Sequence, residues 1–111
     1  VGAREFSLKR FGFPTRPVEN PVAATVGTTA AEILKNNPDR VFWLVVNLSV
    51  NVVYVSFGSD VGATKGIRLE ANGGWASMSA EEDGEAVANQ VYALATAAAS
   101  AIYVLEIEKT R

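Results

Sequence analysis

Neither cysteine nor histidine occurs among the 111 residues. Without a thiol there is no disulfide framework and no thiolate metal site, so packing alone must hold the fold. Without imidazole, Ser-His-Asp and Cys-His nucleophile systems are excluded, together with nearly all structural zinc sites. Carboxylate, lysine or tyrosine chemistry and oxygen-ligand metal sites are what remain. Long apolar runs are missing too. The longest, residues 41–46, falls far short of the roughly 20 residues needed to span a bilayer, so no membrane helix is expected. No secretory signal is visible, and the start at Val1 rather than Met leaves export open.

What is present suits one globular core. The residues are 49% hydrophobic and 20% charged, too apolar for a disordered chain, and this length buries roughly two-thirds of the surface that the unfolded chain exposes. The net charge of −2 is unevenly spread. Arg4, Lys9, Arg10 and Arg16 make the N-terminal stretch basic, while Asp60, Glu70, Glu81, Glu82, Asp83 and Glu85 make a middle stretch acidic. A nucleic-acid surface would show clustered cations interleaved with aromatics and a strongly basic balance, which disfavours that partner.

The periodicity is that of β-structure. Residues 41–48 and 52–57 are rich in β-branched and aromatic side chains and flank a short polar turn, which predicts two strands. The first is apolar on both faces. Such a strand is either central with both faces covered, or has one face covered by another subunit. Residues 66–70 and 75–79 alternate around Asn72-Gly73-Gly74 and read as a hairpin, with Ile67, Leu69, Trp75 and Met78 toward the core. Residues 90–95 and 101–108 read as a last pair, in which Tyr103, Leu105 and Ile107 share one face and Val104, Glu106 and Glu108 form the wet one. Two short strands are expected at residues 24–27 and 30–34. The total, seven or eight antiparallel strands, predicts an all-β sandwich or jelly roll.

Pro14, Pro17 and Pro21 fall within ten positions, so residues 1–21 read as an extended N-terminal arm outside regular pairing, and residues 22–111 as the sandwich domain. The arm carries Phe6, Leu8, Phe11 and Phe13, more apolar surface than a solvated tail normally shows. These four, with Phe42 and Leu44 of the doubly apolar strand, are the candidate interface residues.

No catalytic, cofactor-binding or metal residue is assigned. An oxygen-ligand calcium site is one reading of Asp60 with the carboxylates of residues 81–85. The spacing matches no EF-hand loop, and a solvated acidic loop is the favoured reading. Trp43, Trp75, Tyr54, Tyr92 and Tyr103 raise a sugar-stacking platform as an alternative to core packing. The glycines serve turns and cradle no phosphate.

An ordered series of short motifs resembles small phage and viral virion proteins of the head-fibre or decoration type. It runs from Ile33-Leu34-Lys35-Asn36-Asn37-Pro38-Asp39-Arg40 through Val46-Asn47-Leu48-Ser49, Val53-Tyr54-Val55-Ser56-Phe57-Gly58 and Gly66-Ile67-Arg68-Leu69 to Val91-Tyr92-Ala93-Leu94-Ala95 and Tyr103-Val104-Leu105-Glu106. The resemblance covers about two-thirds of the chain and omits the arm. It implies a non-enzymatic β-sandwich located in a virion, a homo-oligomer that docks on a capsid or other virion protein. A carbohydrate-binding or adhesin module is the alternative.

Overall fold

The structure, a computed structural model, describes residues 12–110. These form β1 (Thr15–Glu19), β2 (Thr25–Val26), β3 (Ala31–Leu34), β4 (Arg40–Asn47), β5 (Val53–Ser56), β6 (Ile67–Leu69) and β7 (Trp75–Ser79). A short helix α1 (Ala80–Asp83) and a 3-10 segment (Gly84–Ala88) then lead to β8 (Val91–Ala95) and β9 (Ser100–Lys109). The first sheet has the order β1-β9-β4-β7, with β2 also on β9, and the second has the order β3-β8-β5-β6. All the pairings are antiparallel and they nest: β5 with β6, β4 with β7, β3 with β8, β1 with β9. One long hairpin rolled onto itself gives this order, which is the jelly roll.

The expected hairpin of residues 66–70 with 75–79 is therefore corrected, as is the pairing of residues 90–95 with 101–108. β4 and β5, β6 and β7, and β8 and β9 are each joined by a tight turn, yet the two members of each pair lie in different sheets. A turn between apolar strands reads the same whether it closes a ladder or carries the chain across the core. The crossing is decided by ladder partners distant in sequence, and at the far end of β4 one side chain organises it. Asn47 is fully buried, its Nδ2 donates to the carbonyls of Asn51, Leu69 and Glu70, and its Oδ1 accepts from the Ser49 amide and hydroxyl. These bonds tie the β4–β5 crossing to the end of β6. In the β6–β7 turn, a Cβ on Gly74 would collide with the Glu70 backbone, so only glycine fits there.

Residues 15–19 also depart from expectation, because they pair with β9 of their own chain as β1. Pro17 is tolerated there because β1 is an edge strand among the described residues, with none of them pairing on its other side to need the missing N–H. The acidic segment is partly helical. Ser79 Oγ accepts from Glu82 N at 3.2 Å while Asp83 Oδ2 accepts from Ser79 N at 3.0 Å, a reciprocal cap on the first turn of α1.

Between the sheets lie Trp43 and Val45 of β4, Ile102 and Val104 of β9, Val53 and Val55 of β5, and Leu69, Val91, Ala93 and Ile33. Arg40 and Glu106 lie on the same inner side, only 2% and 5% exposed. The expected sidedness of β9 is thus inverted: Glu106 points inward with Ile102 and Val104, and Tyr103, Leu105 and Ile107 are on the outer face. Arg40 resolves the apparent conflict. Its guanidinium binds Glu106 Oε2 at 2.9 Å and donates to the carbonyls of Val87 and Asn89 at 3.1 Å and to that of Lys35, so the buried charge is fully hydrogen-bonded.

Candidate functional site: the outer face of the first sheet

Strand alternation places every second residue of β4, β7, β9 and β1 on the side of the first sheet away from the second layer. The registers arrange these residues in three rows. Trp75, Val46 and Tyr103 make one; Ser77, Leu44, Leu105 and Glu19 the next; Ser79, Phe42, Ile107 and Pro17 the third. The two central strands thus present Phe42, Leu44, Val46, Tyr103, Leu105 and Ile107 side by side. All six are partly exposed, and Trp75 at the margin is 64% exposed. An antiparallel sheet with one layer behind it normally turns a polar face outward, so a contiguous apolar face is a candidate interaction surface.

Polar groups sit at the margin of this face, with Tyr103 and Glu19, and on the reverse side of the sheet, with Glu108 and Arg16. The Tyr103 hydroxyl donates to Glu19 Oε2 at 2.8 Å, and this bond to a carboxylate raises the phenol above its ordinary value. Arg16 binds Glu108 Oε2 through Nε at 3.0 Å and through a terminal nitrogen at 2.8 Å. Glu108 Oε1 accepts from Asn37 Nδ2, which also reaches Glu106. The Arg16 guanidinium holds the Glu108 carboxyl below the usual carboxylate range, partial burial opposes this, and the Asn37 amide adds to the lowering. A chain of polar contacts thereby runs along the inner side of the sheet from the buried Arg40–Glu106 pair to the exposed Arg16.

Phe42 and Leu44, candidate interface residues, lie in adjacent rows of this face. Phe13 is partly buried, with Lys109 Nζ 5.4 Å from its ring centre. Phe6, Leu8 and Phe11 lie outside the described residues. Tyr103, Leu105, Ile107 and Trp75 complete the surface, although sequence periodicity assigns them to the core. The signal available for β9 was Arg40, since a cation opening an apolar strand needs an acid facing it. Nothing comparable marked Trp75.

The other candidates are dispersed. Trp43 is buried and Tyr54 nearly so, Trp75 is exposed, and Tyr92 is on the opposite sheet, so the five aromatics form no common platform. Glu81, Glu82, Asp83 and Glu85 are exposed, and among the described residues no group of three or more acidic side chains is gathered where it could hold a metal ion.

Comparison with protein-family models and with curated proteins gives no match. Among solved structures, the chain is similar to one from the study "Bacillus endospore appendages form a novel family of disulfide-linked pili", at 25% identity over 86% of each chain with a TM-score of 0.49. The disulfide linkage named for that protein has no counterpart here, where cysteine is absent from the sequence.

Proposed function

We propose that this chain is a structural subunit that self-associates through the outer face of its first sheet. The observation that carries this reading is the block of Phe42, Leu44, Val46, Leu105 and Ile107 on two adjacent central strands, without a charge among them. Covering such a face removes apolar area from water at about 25 cal/mol per Å², and a symmetric pair of copies would cover both faces at once. Glu19 at the rim, bound to the Tyr103 hydroxyl, would set the orientation. The resemblance to virion decoration and head-fibre proteins supports a place in a particle, with a capsid or other virion protein as the docking partner. Phe6, Leu8 and Phe11 of the N-terminal segment would add apolar contacts to a neighbour.

Sedimentation velocity on the parent and on Leu44→Lys tests the reading. The parent should sediment as an oligomer at micromolar concentration, and the variant as a monomer with an unchanged circular dichroism spectrum. A monomeric parent at hundreds of micromolar would overturn it. Exposure of Trp75 supports a second reading, in which its ring stacks on a sugar. Quenching or a blue shift of Trp75 fluorescence by soluble oligosaccharides would favour it.

A further inference from the structure

Strand β7 is an open edge of the first sheet. Natural edges are blunted by charge or proline, because their free N–H and C=O groups will pair with another chain. The other edges among the described residues follow this rule: β1 carries Arg16, Pro17 and Glu19, β3 carries Glu32, and β6 carries Arg68. β7 reads Trp75-Ala76-Ser77-Met78-Ser79, without charge or proline. Its hydrogen-bonding phase follows from β4. Asn47 N donates to Gly74 O and Leu48 N to Ala101 O, so Asn47, Val45 and Trp43 address β7, while Val46 and Leu44 address β9. Ala76 and Met78 therefore turn their main-chain groups toward β4, and Trp75, Ser77 and Ser79 turn theirs to the open side. Asp83 Oδ2 already takes the Ser79 amide. The amides and carbonyls of Trp75 and Ser77, both exposed residues, have no main-chain partner among the described residues.

We propose that this edge pairs with β7 of a second copy, antiparallel about a two-fold axis through Ala76. In that register the N–H and C=O of Trp75 exchange bonds with those of Ser77 in the other copy, and the symmetry repeats the exchange, so all the open groups of both residues are used. The side chains agree. On the outer face the large Trp75 meets the small Ser77, and on the inner side Ala76 meets itself across the axis, where any charge would have met its like. This self-complementarity selects a second copy over an unrelated peptide. Size selects it too: a pairing this short covers far less than the roughly 800 Å² per partner of a stable interface, so it acts beside a larger contact among the same molecules. The outer face supplies that contact, and to this extent the proposal rests on the self-association reading. Edge pairing joins β1-β9-β4-β7 of both copies into one continuous sheet with their apolar outer faces side by side. Face-to-face packing of two such pairs makes a tetramer.

In sedimentation velocity at micromolar concentration the parent should run as a tetramer and Ser77→Pro as a dimer with an unchanged circular dichroism spectrum, because the Ser77 amide serves only the open side. Leu44→Lys reads the face instead and should give a monomer. A second measurement does not depend on proline being accommodated. The chain has no cysteine, so Ala76→Cys carries a single thiol, and a non-hydrogen-bonded antiparallel pair holds its Cα atoms about 4.5 Å apart, within reach of a disulfide. Oxidised glutathione should convert this variant to a covalent dimer, also in the Leu44→Lys background at hundreds of micromolar, while Glu32→Cys on the β3 edge stays unlinked. Parent mass retained by Ser77→Pro, or no disulfide through Ala76→Cys, would overturn the edge pairing and leave the face reading intact. A mixed disulfide between Ala76→Cys and Glu32→Cys chains would overturn the two-fold, since β7 would then pair with β3. Parent mass retained by Leu44→Lys, with the Ala76→Cys disulfide still forming, would overturn the face reading alone.

Discussion

The two outer faces of the sandwich are built from the same strand grammar and reach opposite results. On the second sheet the outward rows are Glu32, Tyr92 and Ser56, then Leu94, Tyr54 and Arg68. Each row contains a charged side chain at its edge and a phenol within it, and Arg68 donates to both Glu70 and the Tyr54 hydroxyl. Tyr54 is thereby buried beneath polar atoms of its own chain. On the first sheet the central columns hold aliphatic and aromatic side chains, and charge is confined to the rim. One face is finished by its own residues. The other keeps its apolar side chains partly exposed among the described residues, and this difference rather than total hydrophobicity favours it as the proposed interaction surface.

Substitutions can break the comparison at several strengths. The largest effects should be on the inner side, which neither outer face shares. Glu106→Ala leaves the Arg40 guanidinium buried without its counter-charge and should cost about 3–5 kcal/mol, measured by chemical denaturation. Trp43→Ala removes a buried large aromatic and should cost about the same, roughly 3–5 kcal/mol by the same measurement. A loss below about 1 kcal/mol in either would show that the inner side is less tightly packed than its burial implies.

The outer faces separate next. Leu44→Lys should dissociate the assembly, whereas Leu94→Lys, at a matching outward position on the second sheet, should leave the sedimentation coefficient unchanged. If both dissociate it, the two faces are equivalent and the contrast fails. Ser79→Ala removes the cap of α1 and should lower stability by about 1 kcal/mol in a thermal melt, with no change in assembly.

The smallest expected effect is that of pH on the Arg16–Glu108 pair. The Glu108 carboxyl is depressed in the folded state, so its contribution is present above the ordinary carboxylate range and is lost as pH falls through the folded value. Arg16→Ala should therefore lower the melting temperature slightly near neutral pH, and the gap from the parent should close in acid. Arg16 is largely exposed, so solvent screening keeps the gap small. A gap that is constant with pH would assign the effect to packing of the arginine stem.

Element by element, the strands were legible because β-branched and aromatic runs announce themselves locally. Residues 41–48, 52–57, 90–95 and 101–108 are strands within a residue or two of expectation. Trp75 was misplaced because strand periodicity tells which residues share a face and does not tell which face is covered, whereas Ile67 does share the inner side with Leu69 and is half exposed because β6 is an edge strand. Trp75 lies outward with Ser77 and Ser79, while Ala76 and Met78 of the same strand pack inward. The candidate site was half readable: Phe42 and Leu44 stood out because β4 is apolar on both sides. Tyr103, Leu105 and Ile107 were hidden, since an inward Glu106 makes the true outer face look like the core.

The sequence by itself determined the class of the molecule: an all-β chain without thiol or imidazole chemistry, apolar enough for one core and with a central strand too apolar for a single layer. Tertiary structure alone decided that each short turn crosses between sheets, that Arg40 meets Glu106 inside, and that Leu44 and Leu105 share an outward row. The physical reason is range. Strand propensity and alternation are properties of neighbours along the chain, whereas register, sheet membership and the partner of a buried charge are set by residues such as Arg40 and Glu106, brought together only when the nested hairpin rolls closed.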